Sequence, residues 1–188
     1  MEPTGIKIKP ARKDFVLKCG GLLAMIMPNL EMCRLELGKD IPSVDTGNGV
    51  QRVLPDMEYV VVTFKDNITH LIPVEGNSYV AIAEAIFSEI EQASLLESWD
   101  GDARQTRIDF VVKCGEVLHI AKLNLLGCEL KLGKDIPVKH VKDEYAAIDR
   151  DKEYILITCD NGYTYTLEAE NKSLISIAAD IFAKMTFK

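Results

Sequence analysis

Apolar positions along this chain follow two rhythms, helical and alternating, and the same succession of rhythms occurs twice. Phe110, Cys114, Val117, Leu118, Ala121 and Leu125 recur at helical spacing, and Phe15, Cys19, Leu22, Leu23, Ile26 and Leu30 do so earlier in the chain. Each set predicts a helix. Asp109 and Asp14 stand where N-caps belong, with Lys113 and Lys18 four residues on in the favourable acid-before-base order. Gly20-Gly21 and Pro28 predict a shorter, kinked or partly extended helix in the earlier segment.

Gly127 marks a helix end, and Cys128 to Leu132 then alternates apolar and charged residues with period two, as Cys33 to Leu37 does. Both runs predict a strand with one buried face. Gly-Lys-Asp-Ile-Pro closes each of them, because glycine permits the turn and proline cannot continue a donor ladder. Two further strands, through Tyr154 to Cys159 and Tyr163 to Leu167, join across Asp160-Asn161-Gly162 as a hairpin. Lys65-Asp66-Asn67 is the matching turn, with asparagine able to take the left-handed conformation in place of glycine. A last helix spans Ser173 to Met185 with Ile175, Ala178, Ala179, Ile181 and Phe182 on its apolar face. Ser78 to Ile90 matches it, and both serines are natural caps.

These matches share one displacement. Cys33-Arg-Leu-Glu-Leu-Gly-Lys-Asp-Ile-Pro42 returns 95 positions later as Cys128-Glu-Leu-Lys-Leu-Gly-Lys-Asp-Ile-Pro137, with no insertion or deletion, and about 28 of 77 aligned positions are identical. The predicted fold is α+β: a tandem duplication of a helix-strand-strand-strand-helix unit, each an antiparallel sheet with helices on one face, related by a pseudo-twofold. The units are 14–90 and 109–185, and the polar segment 91–108, with Ser98-Trp99-Asp100-Gly101-Asp102, is read as a linker. Units of this size are near the lower limit for an independent core, so the halves are expected to pack on each other.

Hydrophobic content of 47% and charged content of 27% describe a folded globule. With no apolar run long enough for a membrane span and no signal-peptide centre near the N-terminus, the expectation is a soluble, cytoplasmic protein with no membrane partner. Five cysteines without a Cys-x-x-Cys pair argue for buried thiols and against zinc. The net charge of −7 is uneven. The first unit has 5 basic and 11 acidic residues and the second 10 and 13. Such a balance makes direct nucleic-acid binding unfavourable and a basic protein surface the more plausible partner.

No catalytic constellation or cofactor motif stands out. His70, His119 and His140 align with Tyr165, Ala24 and Asp45, so a duplicated histidine-based site is excluded. Lys39-Asp40 and Lys134-Asp135 are explained by a turn at a strand end without any ligand. No metal site and no cofactor are expected. The greatest divergence between the units lies in connections of equal length and almost no identity, Ser43 to Met57 and Val138 to Lys152. Connections of this length frequently carry function. The candidate binding residues are therefore Asp45, Asn48 and Asp56 in the first, Lys139, His140, Lys142 and Tyr145 in the second, and Trp99 in the linker.

A duplicated α/β unit of this length is similar in general outline to the saddle-shaped TATA-binding fold, which would imply a nucleic-acid-binding regulator. No motif here matches it residue by residue, and the acidic charge opposes duplex binding. The hairpin followed by an alanine-rich helix resembles small acidic proteins of bacteria and their phages. The leading expectation is a noncatalytic binding protein that engages a protein partner through its dissimilar loops. In a sharper form the partner is a nucleic-acid-binding host protein, inhibited by acidic mimicry. The alternative is an enzyme or small-molecule binder with one site between the repeats, using Cys159, His119 or Tyr165.

Overall fold

A computed structural model describes residues 10–42, 53–91, 103–137 and 148–185. The chain divides into two compact units, within residues 1–90 and 91–188. The first contains helix α1 (Pro10–Ile26), strands β1 (Leu30–Leu37), β2 (Glu58–Phe64) and β3 (Thr69–Pro73), and helix α2 (Tyr79–Glu91). The second contains α3 (Ala103–Ala121), β4 (Leu125–Leu132), β5 (Glu153–Cys159), β6 (Thr164–Glu168) and α4 (Leu174–Lys184). The class is α+β, with two antiparallel three-stranded sheets ordered β1-β2-β3 and β4-β5-β6. A helix-strand unit thus occurs roughly twice.

Several local expectations are corrected. Asp14 and Asp109 are not N-caps, because α1 and α3 begin earlier, at Pro10 and Ala103; Asp109 instead accepts a hydrogen bond from Gln105 Nε2 (2.9 Å) one turn away. α3 therefore starts inside the segment read as a linker. α1 runs unbroken through Gly20-Gly21, with Pro28 beyond its end. Gly127 does not end a helix but lies in β4, beside a register shift that β1 also shows between Leu30 and Met32.

The reason α1 keeps a helix-weakening glycine is steric. A Cβ at Gly20 would stand 2.6 Å from Cys33 Cβ, and one at Gly115 would stand 2.6 Å from Cys128 Cβ. Glycine on the helix and a small residue on the strand let the two backbones approach closely. Both cysteines face inward as the period-two pattern predicts, and all five cysteines are buried thiols.

The registers define two faces per sheet. In the first, Cys33, Val62 and His70 are cross-strand neighbours on the face towards α1, as are Leu35, Val60 and Ile72. Phe15 on α1 meets Tyr79 at the start of α2, with ring centroids 5.0 Å apart, and in the second unit α4 packs on α3. Ser78 Oγ and Ser173 Oγ accept from the amides of Ala81 (3.2 Å) and Ser176 (3.1 Å), the predicted caps. An ion pair seals this side near the helix start: Arg12 with Glu58 (2.5 Å), and Arg107 with Glu153 (2.6 Å) at the positions 95 residues on. Glu58 is only 6% exposed.

Among the described residues no helix is long and apolar enough to cross a membrane.

Candidate functional site

The face of the first sheet turned away from α1 carries Tyr59, Val61 and Leu71, buried beneath Ile41, Val53 and Met57. On the second sheet Tyr154 and Leu156 pack with Ile136, against Ile148. These covering residues flank the connections singled out for their divergence, so this face of each sheet holds residues from both ends of each connection.

The anchor explains the most closely repeated motif. Gly38–Asp40 and Gly133–Asp135 each form one 3-10 turn after the strand. The Gly38 and Lys39 amides donate to the carbonyls of Met57 (2.8 Å) and Pro55 (3.1 Å); those of Gly133 and Lys134 donate to Lys152 (2.9 Å) and Arg150 (3.2 Å). A Cβ on either glycine would lie 1.9 Å from a carbonyl oxygen, that of Leu54 or Asp149. Beside the turn, Tyr59 Oη accepts from the Leu54 amide (3.0 Å) and Tyr154 Oη from the Asp149 amide (2.9 Å). The backbone of Gly38-Lys39 and of Gly133-Lys134 thus forms a clamp on the far end of each connection.

Next to the clamp of the first unit lies a pocket of about 190 Å³ lined by Arg34, Ile41, Pro42, Val61, Thr63 and Thr69, among others. Arg34 Nε stands 2.9 Å from Glu36 Oε1, and an Arg34 terminal nitrogen reaches Met32 Sδ at 2.9 Å. Arg34 Nε and Glu36 Oε2 are both buried polar atoms without a hydrogen-bond partner. In the second unit the same places hold Glu129 and Lys131, paired at 3.2 Å. Opposite charge is kept and the sign is exchanged. This pair was overlooked in the sequence, although Cys-Arg-Leu-Glu-Leu set against Cys-Glu-Leu-Lys-Leu displays it.

Of the candidate binding residues, Asp56 is described, exposed at a turn in which the Met57 amide donates to Leu54 (3.2 Å). Asp45, Asn48, Trp99, Lys139, His140, Lys142 and Tyr145 lie outside the described residues. The residues proposed for an enzymatic alternative differ in setting. His119 is exposed, with Nδ1 3.3 Å from the Leu125 carbonyl, Cys159 is buried, and Tyr165 is half-buried. His70 is buried on the helix side, edge-on to Phe64 at 5.6 Å, with Nδ1 lacking a partner.

Burial pushes the thiols of Cys33 and Cys128 up to about 12, with the Glu129 charge adding to the effect at Cys128. Cys19 is raised too, by burial first and by Cys33 second. Thiols so held stay protonated at neutral pH and are poor nucleophiles or metal ligands. Among the described residues no group of three or more His, Cys, Asp or Glu side chains is placed to hold a metal ion.

Comparison of the chain with protein-family models, curated proteins and solved structures finds no match in any of the three.

Proposed function

We propose that the protein is a noncatalytic binding module whose two halves descend from one unit by tandem duplication, and that it engages a protein partner through the dissimilar loops at residues 43–57 and 138–152. The observation that carries this reading is the shared clamp. Gly38 with Tyr59, and Gly133 with Tyr154, anchor both loops by the same device, while the loops themselves differ in nearly every residue. A common frame presenting unlike segments is the arrangement expected where scaffold and recognition are separated. In its sharper form the partner is a basic, nucleic-acid-binding protein met by the acidic first unit, in the manner of phage inhibitors of host proteins, with the chain acting in the cytoplasm.

The test is affinity capture from lysate with the native chain and with a variant carrying residues 138–147 in place of 43–52 as well as in their own position. A specific protein captured by the native chain and lost by the folded variant supports the reading. Equal capture by both, or a thermal shift with a nucleotide or metabolite in the absence of any captured protein, refutes it.

A further inference from the structure

We propose that β1 is a self-association edge, which pairs antiparallel about Leu35 with β1 of a second copy of this chain. Among the described residues β1 lies at one end of the sheet order, and three features of the strand converge on this occupant.

The first is backbone direction. The Gly38 amide donates to Met57, and the register steps from there by two, so Glu36 and Arg34 share backbone hydrogen bonds with Tyr59 and Val61. The N–H and C=O groups of Cys33, Leu35 and Leu37 consequently point outwards from β2. A twofold through Leu35 would set Leu35 opposite Leu35 of the partner subunit and Cys33 opposite the partner's Leu37, all hydrogen-bonding positions.

The second is charge order. The same twofold sets Arg34 opposite the partner's Glu36, and Glu36 opposite the partner's Arg34, in the non-hydrogen-bonded pairs where Cα atoms approach to about 4.5 Å. Charged edge strands commonly deter pairing, but here the order Arg-Leu-Glu is complementary to itself when reversed. The exchanged signs in β4 sharpen the choice, since antiparallel pairing of β1 with β4 in matching register would oppose Arg34 to Lys131 and Glu36 to Glu129. Like charges placed opposite one another select against the wrong partner.

The third is burial. Arg34 and Glu36 have side chains 33% and 25% exposed, whereas Glu129 and Lys131, at the positions 95 residues on, are 49% and 36% exposed. Charges drawn further out of water are screened less, which places the stronger cross-strand attraction on β1.

Sedimentation velocity of the full chain over a concentration series tests the proposal. The native protein is expected to show a monomer–dimer equilibrium. Arg34→Glu should weaken it by roughly tenfold or more, since two cross-strand pairs turn from attractive to repulsive. The exchange Arg34→Glu with Glu36→Arg should restore it, because the order is again self-complementary. That exchange would abolish a parallel β1–β4 contact, which separates the two geometries. Circular dichroism checks folding, and Glu36→Arg alone replaces Arg34→Glu if the latter is unfolded. A native chain that stays monomeric, a dimer indifferent to the single reversal, or a dimer not restored by the exchange overturns the proposal.

Discussion

At the scale of single residues, each unit is held by close approaches that admit no side chain. Gly38 and Gly133 sit where a Cβ would meet a carbonyl oxygen at 1.9 Å. Gly38→Ala and Gly133→Ala are therefore expected to destabilise their units by about 1–3 kcal/mol, the range for overpacking a filled site. Gly21→Ala, at a position with open space around it, should not destabilise. The midpoint of urea unfolding measures both. The buried thiols predict a pH dependence as well. Cys33 and Cys128 hold their protons up to about 12 when folded but have an ordinary value of 9.0. Above 9.0 the unfolded chain loses protons that the folded one keeps, so the stability they contribute is complete below 9.0 and falls as pH rises towards 12. The loss should reach roughly 1 kcal/mol per thiol near pH ~10. Replacing both cysteines by alanine should flatten the alkaline slope of the melting temperature, and an unchanged slope would count against the burial argument.

At the scale of elements, the hairpins show how two residues meet one backbone demand. The Asn67 amide donates to Phe64 (2.9 Å) and that of Gly162 to Cys159 (3.1 Å), with φ of 69° and 87°. Positive φ at the fourth turn position, followed by the closing bond from Phe64 to Ile68 or from Cys159 to Tyr163, is a type I turn with a bulge. Asp66 Oδ1 and Asn161 Oδ1 brace the turns by accepting from Ile68 and Tyr163, each at 3.0 Å. Gly162→Val should cost about 1–2 kcal/mol by forcing a β-branched residue into this region. Gly162→Asn should cost clearly less, since the first unit already carries asparagine there. Thermal melts of the two variants give the comparison, and equal losses would contradict the turn geometry.

At the scale of the whole molecule, charge bears on association. If the acidic first unit recognises a basic partner, the association rate should fall as salt rises, because exposed charges are screened beyond about 8 Å at physiological ionic strength. Reversing Asp45 and Asp56 together should slow association more than reversing Lys139 and Lys142. Glu58, an acidic residue of the same unit, is unsuitable for this test: it is buried against Arg12, and removing it would leave a half-buried guanidinium without its carboxylate. Stopped-flow or surface-based kinetics with the captured partner decides the matter, and salt-independent association would remove the electrostatic reading.

What the sequence by itself determined is the succession of elements. Period-two alternation at Cys33 to Leu37, helical spacing from Phe15 to Ile26 and the Asp-Asn-Gly turn are short-range signals, and the 95-residue displacement lets each unit corroborate the other, whereas Leu30 and Leu125, which fit the helical spacing, open strands. The helix starts were misjudged because Asp14 and Asp109 are acceptable inside a helix as well as at its cap, and the arginines that pair with Glu58 and Glu153 lie just before the aligned units. Only the tertiary structure decided why the shared residues are shared. Gly20 is required by Cys33 across a helix–strand contact, Gly38 by the carbonyl of Leu54, and Tyr59 by the amide of Leu54. It also decided which backbone groups of β1 face outwards, a matter of ladder parity that no single strand encodes. These requirements join positions far apart in the chain, and a one-dimensional pattern records that a residue recurs without recording what it meets.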